Sequence, residues 1–441
     1  MSEPWAVDAT DSAAVSAANI TANLSGNSTP YFSNATYYGT GFDTFEPTIG
    51  VTSSGAIFFT SWNGLGDGTH IIRSRDQGQT WEDIGPFGTV DEDSGQTPNS
   101  NDPYIYVDKF SDRLVKFDMH ALAAMFVEYS DNDGDTWSVP YPVEGYYVTQ
   151  DHQSIASMPP PPGVTAFHEV IYVYCINTGS PAAGAQCSRS LNGGLSWDVQ
   201  RIGYPSSSFP QCSGLHGHVA GGIDGAVYRG NPSCEGPAVY RSLDGGYSWT
   251  EHTITTEVGM QQGWHSHEVA TAVDDGGNVH ATWISNDQMP WYAYSRDQGD
   301  TWSEPMMVAP PIGLNGTGFP VIAAGGPGQV ALGYLGDSGG DTWNGYLTVI
   351  SDAFSPMPLM TTVQVNAWGD PLDTSADCGF NRCGGFGDFN DIIIDQYGRT
   401  WFGLAHNVGG EIGIFGTMTI GPSLRGNGTL SELPVGGPGT L

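Results

Sequence analysis

The sequence predicts an all-β chain folded as a β-propeller, a ring of four-stranded sheets called blades. The first observation is an eight-residue pattern, Ser-x-Asp-x-Gly-x-(Ser/Thr)-Trp, which occurs five times, twice with Asn in place of Asp. The copies, called repeat turns below, span residues 74–81, 130–137, 190–197, 242–249 and 295–302. Their tryptophans stand at positions 81, 137, 197, 249 and 302, so the gaps are 56, 60, 52 and 53 residues, a period typical of one blade.

The chemistry of the repeat turn and the composition of the chain support the same fold. An Asp or Asn side chain can accept backbone N–H bonds in a tight turn, the Gly permits a positive φ, and the Trp can pack between sheets. The chain has 62 glycines and 12% aromatic residues, and its apolar runs are short and alternating rather than helical in period. The acidic residues of the repeat turns are therefore predicted to be structural, not catalytic.

Read in order, the chain begins with residues 1–40, a Ser/Asn/Thr-rich stretch predicted to be a flexible extension. From Phe45 an inner strand, a Gly turn, a strong apolar strand and a strand that ends in a repeat turn follow one another. The same order recurs from Asp102, Asp151, Leu215 and Ser266, and without a repeat turn over residues 319–365 and 386–420. Seven blades of about 54 residues are the predicted count, and six are the alternative.

The propeller is predicted to span residues 41–422, followed by a Gly/Pro-rich tail at 423–441. Because the last segment is short by one strand, a strand from between Tyr31 and Thr40 is expected to complete it and close the ring.

The net charge of −34, with Lys109 and Lys116 as the only lysines, restricts the possible partners. An acidic surface of this kind suits high salt, where screening weakens self-repulsion, and we interpret it as halophilic character. A basic partner is the alternative. Nucleic acid and anionic membrane surfaces are both disfavoured as partners.

Cysteine and asparagine patterns predict an extracellular or cell-surface glycoprotein. The six cysteines form three local pairs without CxxC spacing, which favours disulfides over zinc: Cys175/Cys187, Cys212/Cys234 and Cys378/Cys383. Six Asn-x-Ser/Thr sequons are candidate glycosylation sites: Asn19, Asn23, Asn27, Asn34, Asn315 and Asn427. The sequence shows no signal peptide and no apolar run long enough to span a membrane, so a cytoplasmic or virion protein stays an alternative.

The repeat turns and the order of strands around them resemble the Asp-box, or bacterial neuraminidase repeat, superfamily of sialidase-like β-propellers. The resemblance extends over residues 42–422. Sialidases of this superfamily hold the substrate carboxylate with three arginines, the first in an Arg-Ile-Pro motif on the first inner strand. Here that strand begins Phe45-Glu46-Pro47-Thr48, without an arginine, and only Arg229 and Arg382 are placed to reach a central pocket. Because lysine cannot replace a bidentate arginine clamp, true sialidase activity is not expected.

Histidines cluster where the inner strands begin, which is where propellers usually bind ligands. Residues i and i+2 of a strand share a face, so His216 with His218, and His265 with His267, could converge near His152. Imidazoles with a carboxylate can bind zinc or another divalent ion. The alternative is that these histidines line a water-filled channel. Residues 131–135 look like half a calcium loop without the closing Glu, so calcium is the second candidate ion.

Carboxylates at the same positions give a second hypothesis, a glycoside hydrolase that uses axial acids: Glu46, Asp102, Asp151 and Asp388. Candidate ligand-binding residues besides the two arginines are Asn390, Asp391 and Trp264. The alternative is that these acidic residues belong to the acidic surface of the chain and have no catalytic role. The sequence therefore predicts a propeller that binds glycans or a cell-surface protein, with a metal-assisted glycosidase and a self-assembling surface or virion subunit as alternatives.

Overall fold

The computed structural model describes residues 34–61, 69–85, 103–120, 124–143, 150–178, 185–198, 201–204, 217–233, 235–261, 268–308, 310–311, 313–375, 384–426 and 428–430. They form seven four-stranded antiparallel sheets, which confirms the all-β propeller and the count of seven blades. The one helical segment among them is a 3-10 turn, Gly384–Phe386, and no helix in these ranges is long and apolar enough to cross a membrane.

Each blade runs from an inner strand at the axis to an outer strand at the rim. Blade 1 contains β2 (Ile49–Val51), β3 (Ile57–Ser61), β4 (His70–Ser74) and β5 (Glu82–Gly85). Blade 2 contains β6 (Tyr104–Val107), β7 (Leu114–His120), β8 (Ala124–Ser130) and β9 (Tyr141–Val143). Blade 3 contains β10 (Gln150–Met158), β11 (Ile171–Thr178), β12 (Ala185–Ser190) and β13 (Arg201–Tyr204).

The remaining blades repeat this order. Blade 4 contains β14 (Val219–Gly221), β15 (Val227–Ser233), β16 (Gly236–Ser242) and β17 (Thr250–Thr253). Blade 5 contains β18 (Ala270–Val273), β19 (Val279–Ile284), β20 (Pro290–Ser295) and β21 (Met306–Met307). Blade 6 contains β22 (Gly316–Ala324), β23 (Val330–Asp337), β24 (Trp343–Ile350) and β25 (Met360–Gln364).

Blade 7 is built from both ends of the described chain. Its inner strand is β26 (Asp391–Ile394), followed outward by β27 (Thr400–His406) and β28 (Ile412–Ile420), and its outermost strand is β1 (Asn34–Asp43). β1 pairs antiparallel with β28, from Asn34 opposite Ile420 to Asp43 opposite Ile412. The ring is therefore closed by backbone hydrogen bonds between the first and last strands, which leaves β28 without a free edge.

The repeat turns connect the third and fourth strands of blades 1 to 5. In the first, Asp76 accepts hydrogen bonds from the backbone N–H and the hydroxyl of Thr80, at 2.8 and 2.6 Å. Gly78 adopts a φ of 88°, and its carbonyl accepts a hydrogen bond from the indole of Trp81 at 3.1 Å. Burial raises the pKa of Asp76, but the hydrogen bonds from Thr80 and Ser74 outweigh it and leave the pKa lowered. Hydrogen bonds made by the turn's own side chains therefore stabilise its conformation.

Arginines link three of the repeat turns, those of blades 2, 4 and 5, to the blade before each. Arg73 of blade 1 reaches the next repeat turn, where its Nη1 lies 2.6 Å from Asp135 Oδ1. Equivalent contacts join Arg189 to the carbonyl of Asp244 at 3.0 Å and Arg241 to Asp300 at 2.8 Å. We call Arg73, Arg189 and Arg241 the arginine belt. These three arginines bind groups far from the axis, so they do not form a carboxylate clamp at the axis.

Candidate functional site

The candidate site lies at one end of a cavity of about 250 Å³ that follows the axis of the ring. All seven inner strands line it, because successive blades pack their inner strands around one axis. The upper face of the ring is defined here as the side where the inner strands begin, and the lower face as the side where they end. Polar side chains at the upper end of the cavity wall come from blades 2, 4, 5 and 7: Tyr104, His218, Glu268 and Asp391.

His152 is positioned by an irregularity in β10. The pairing of β10 with β11 shifts register between Asp151 and Ser154, and His152 adopts a φ of 53°, in the left-handed region that non-glycine residues rarely occupy. A bulge of this kind re-aims a side chain out of the normal alternation. The imidazole is fully buried, and its Nε2 lies 2.8 Å from Oε2 of Glu268. The backbone of blade 3 therefore departs from a regular strand at the residue that joins the site.

His218 completes a three-residue cluster with His152 and Glu268. One ligand atom from each of the three side chains lies within 4.8 Å of the others. The two imidazole centroids are 5.4 Å apart, and the Nε2 atom of His218 is buried with no hydrogen-bond partner among the described residues. Phe389 packs at 5.0 Å against both rings and covers them. The cluster is thus a compact set of two nitrogen ligands and one oxygen ligand.

The protonation states of the cluster suit a metal ligand set. Burial lowers the pKa of His218 to about 4, so its imidazole is neutral at pH 7. Burial raises the pKa of Glu268 to about 7, although the nearby His218 and Arg229 favour its charged form. A neutral imidazole is the form that ligates metal, and the carboxyl group becomes a ligand when it loses its proton.

Arg229 supports the cluster from behind. Its side chain is fully buried, its Nε donates to the carbonyl of Gly217 at 2.8 Å, and its Nη2 donates to the carbonyl of His152 at 3.1 Å. The same Nη2 also donates to Oδ1 of Asn177 at 3.1 Å. Arg229 thereby fixes the backbone on both sides of the cluster, and it does not line the axial cavity.

Asp391 lies at the start of blade 7 and joins it to blade 1. Its Oδ2 accepts a hydrogen bond from the backbone N–H of Ile49 at 3.1 Å, and its Oδ1 accepts one from Ile392 at 2.9 Å. Burial raises the pKa of Asp391 to about 7, and the charge of Glu268 adds to the rise, while the two backbone hydrogen bonds oppose it. The neighbouring Asn390 is fully buried, and neither its Oδ1 nor its Nδ2 has a partner among the described residues.

Glu46 and Asp388 meet at the closing seam of the ring. Glu46 is buried, with a φ of 48°, and its Oε1 accepts a hydrogen bond from the backbone N–H of Asp388 at 2.7 Å. A Cβ on Gly387 would lie 2.2 Å from Cγ of Glu46, so this position requires a residue without a side chain. The Glu46 carboxylate holds two blades together here, and it does not line the axial cavity.

Of the residues predicted from sequence, the structure brings His152 and His218 together and places Asp391 on the same cavity wall. Asp151 lies in β10, where only its backbone is described. Glu46, Asp388, Asn390 and Arg229 are placed as described above, and six further site candidates lie outside the described residues: Asp102, His216, Trp264, His265, His267 and Arg382. Glu268, Tyr104 and Phe389 were not predicted as site residues. The sequence offered a signal for them, because each begins an inner strand or lies two residues before it.

The remaining sequence predictions concern covalent features and calcium. Cys175 and Cys187 form a disulfide between β11 and β12, whereas Cys212, Cys234, Cys378 and Cys383 lie outside the described residues. Asn315 is exposed, only the backbone of Asn34 is described, and the sequons at Asn19, Asn23, Asn27 and Asn427 lie outside the described residues. In the half calcium loop, Asp131 binds Arg113 and Asp135 binds Arg73 and Arg75, so these carboxylates already neutralise arginines.

No protein-family model and no curated protein sequence matches the chain. Solved structures that are similar include the phage phi92 endosialidase, at 13% identity and a TM-score of 0.48 over 88% of this chain and 68% of that chain. Another is the polysaccharide lyase Uly1, at 10% identity and a TM-score of 0.47 over 91% and 94% of the two chains. A third is the Penicillium chrysogenum alpha-L-arabinanase, at 12% identity and a TM-score of 0.44 over 88% and 98%.

Proposed function

We propose that this protein is a zinc-dependent hydrolase whose metal is held at the upper end of the axial cavity by His152, His218 and Glu268. The observation that carries the proposal is the distance of at most 4.8 Å between their ligand atoms. Two imidazoles and one carboxylate form a ligand set of catalytic zinc sites, in which three protein ligands leave a position for water. Among the described residues the set has three members, which is the number that catalytic zinc sites take from the protein.

A metal ion accounts for the buried polar atoms better than hydrogen bonds alone. The Nε2 atom of His218 has no partner among the described residues, and a buried polar atom without a partner costs about 1–3 kcal/mol. A divalent ion within reach of His218 would remove that cost and would also replace the proton shared by His152 and Glu268. The positive charge of Arg229 opposes a cation here, but the carboxyl groups of Glu268 and Asp391 carry two negative charges against it once both have lost their protons.

Asp391 is the proposed general base. A pKa of about 7 lets its carboxyl group both accept and return a proton near neutral pH. Zinc held by His152, His218 and Glu268 would lower the pKa of a water molecule, and Asp391 would accept a proton from that water as its oxygen attacks the anomeric carbon of a glycan. The bond from that carbon to the leaving oxygen breaks, and the leaving oxygen recovers the proton from Asp391. Atoms and charges then balance, with one water consumed for each bond cleaved.

The choice of a glycan as substrate rests on the resemblance of the repeat turns to those of sialidase-like propellers. We also propose an extracellular or cell-surface location, which the disulfide between Cys175 and Cys187 and the net charge of −34 support. The missing arginine clamp favours a substrate other than a sialoside. Arg229, the one predicted clamp residue in the described chain, is occupied by backbone carbonyls of the site.

A second candidate is a metal-free glycosidase that uses Glu268 and Asp391 as its acid and base. Both carboxyl groups line the same cavity, and burial raises the pKa of each to about 7. Two carboxyl groups that flank a glycosidic bond are sufficient for hydrolysis. This candidate predicts activity that survives complete removal of metal, whereas the zinc-dependent hydrolase does not.

The test begins with metal binding. We expect purified chain to hold a single zinc ion, measured by elemental analysis, and to bind Zn²⁺ in calorimetry. His218→Ala should weaken zinc binding by at least about 100-fold, whereas His168→Ala, at an exposed histidine outside the cluster, should bind as the wild type does. Glu268→Gln keeps the size of the side chain and should weaken binding similarly. A wild-type protein that takes up no zinc would refute the proposed site.

Activity is then measured as release of reducing ends from a panel of neutral and acidic polysaccharides. The zinc-dependent hydrolase should lose turnover in a chelator and recover it when Zn²⁺ is restored, and Asp391→Asn should bind zinc but turn over slowly. Activity that is unchanged in the chelator, and lost in Glu268→Gln, would instead favour the metal-free glycosidase.

A further inference from the structure

A second cavity of about 460 Å³ lies in blade 6 and contributes nothing to the axial site. It is bounded by the loop before β22, the loop between β23 and β24, and the segment after β25. These segments all lie on the upper face, because β22 begins there and β23 returns to it. The cavity falls within the size range of small-molecule binding sites. Its lining residues include Leu314, Ser338, Asn344, Tyr346, Gln364 and Trp368.

Trp368 distinguishes this cavity from the rest of the surface. Its side chain is 61% exposed. Every other tryptophan in the described part of the chain is buried or half-buried. Leaving an indole in water forgoes the hydrophobic stabilisation that burial would give. An exposed indole at the rim of a cavity offers a flat apolar face to a ligand.

The segment that carries Trp368 is fixed before any ligand arrives. The side chain of Asn366 donates to the carbonyl of Asp370 and to Oδ1 of Asn344, both at 2.9 Å, and its own Oδ1 accepts from the backbone N–H of Gly345 at 2.9 Å. These contacts tie the loop to β24. Binding therefore requires little ordering of the backbone, which favours affinity.

The cavity wall is polar but uncharged. Its lining contains the hydroxyls of Ser338, Thr342 and Tyr346 and the amides of Asn344 and Gln364, and no Asp, Glu, Lys, Arg or His. Of the three acidic residues next to the lining in sequence, Asp337 accepts hydrogen bonds from Gly339 and Thr342, Asp370 lies 3.0 Å from His406, and Asp341 is exposed. In a chain with a net charge of −34, an uncharged cavity is a local exception that suits a neutral ligand.

We infer that this cavity is a binding site for neutral carbohydrate, with Trp368 stacking on the apolar face of a sugar ring while the hydroxyls of Thr342 and Tyr346 bind its oxygens. The amides of Asn344 and Gln364 hydrogen-bond within the wall and fix its shape. A sugar has both surfaces, one face of C–H groups and an edge of hydroxyls, and the cavity offers the complement of both. The inference does not depend on zinc or on catalysis. Because this cavity lies on the upper face, a bound polymer would be held on the side of the ring where the axial cluster lies.

The test is affinity electrophoresis of the full chain in gels that contain a mixed-linkage β-glucan, a xylan, a galactomannan or, as the acidic comparison, alginate. At least one neutral polymer should retard the wild type, and Trp368→Ala should weaken that binding roughly tenfold or more. Trp368→Phe keeps an aromatic face and should retain part of the affinity. Tyr397→Ala is the matched control, because Tyr397 is also exposed, at 68%, but lies in a turn on the lower face.

Several outcomes would overturn the inference: no retardation by any neutral polymer, retardation by alginate alone, or equal retardation of the wild type and Trp368→Ala. An unchanged melting temperature of Trp368→Ala excludes misfolding as the cause of lost binding. Repeating the gels in a chelator, and with His218→Ala, separates this site from the zinc site. Binding should persist in both cases, so failure of either proposal can be recognised without the other.

Discussion

The Nε2 atom of His152 and the Oε2 atom of Glu268 lie 2.8 Å apart, although 116 positions separate them in the chain. The two residues belong to blades 3 and 5, and His218 of blade 4 lies beside them. Three consecutive blades thus each supply one ligand atom from the start of the inner strand. The predictions below test this arrangement and the contacts that hold the ring together.

Zinc should stabilise the folded protein, because an ion that binds only the native state adds its binding free energy to the free energy of unfolding. At a hundredfold excess of free Zn²⁺ over Kd the gain is about 2.7 kcal/mol. We expect differential scanning calorimetry to show a higher melting temperature with Zn²⁺ for the wild type and for His168→Ala. His218→Ala should show no such rise, and an equal rise in all three proteins would indicate binding elsewhere.

The raised pKa of Asp391 predicts an unusual dependence of stability on pH. A carboxyl group whose folded pKa is about 7, against an ordinary value of 3.8, contributes stability that is fully present below pH 3.8 and is lost as pH rises through 7. Metal-free wild-type protein should therefore be less stable to denaturant at pH 8 than at pH 6 in high salt. Asp391→Asn should reduce this difference by about 1.4 kcal/mol, because a group with a pKa near 7 gives up about one pKa unit of stabilisation between pH 6 and pH 8.

The matched control for Asp391 is Glu304→Gln, which removes one carboxylate from an exposed position. If general charge repulsion caused the loss of stability at high pH, both variants would reduce the pH dependence equally. An effect confined to Asp391→Asn would assign it to the buried group.

The arginine belt predicts unequal effects for two arginines that bind the same carboxylate. Arg73 and Arg75 both contact Asp135, at 2.6 and 2.9 Å, but the side chain of Arg73 is 7% exposed and that of Arg75 is 52% exposed. Arg73 also binds Glu82 at 2.7 Å. In urea unfolding, Arg73→Ala should cost about 2 kcal/mol, whereas Arg75→Ala should cost less than about 1 kcal/mol because exposed pairs contribute little. Equal losses would contradict the role assigned to the belt.

Removing β1 should open the ring. Without residues 1–43, the backbone groups of β28 that pair with β1 would lose their partners and form an exposed edge. We expect this truncated chain to unfold at lower temperature and to aggregate, as measured by scanning calorimetry and light scattering. A chain that lacks only residues 1–33 keeps β1 and serves as the control. Equal behaviour of the two truncated chains would show that ring closure does not depend on β1.

The fold could be predicted largely from the repeat turns, because their chemistry is local. Asp76, Gly78, Thr80 and Trp81 contact one another within a few residues, so a short pattern implies its own conformation. The spacing of the copies then gives the blade length. The last two blades lack the pattern, and their alternating strands were sufficient to predict them.

The candidate site could be predicted only in part from the sequence. Two ligands, His152 and His218, were suggested by their position before inner strands, but Glu268 was passed over in favour of His265 and His267 beside it. Regular alternation was assumed for these segments, whereas β10 contains a register shift at His152. The role of Glu46 was also open, since a contact with Asp388 connects residues 342 positions apart.

By itself, the sequence determined the all-β class, the seven blades and the acidic, disulfide-containing character, because these follow from local turn chemistry, strand alternation and composition. Only the tertiary structure decided which polar side chains meet at the axis, that Arg229 is occupied by site carbonyls, and that Trp368 stands beside an uncharged cavity. The physical reason is that strand alternation fixes a side chain's face only within its own blade. Contacts between blades depend on the closure of the ring and on bulges such as that at His152, and no local pattern encodes them.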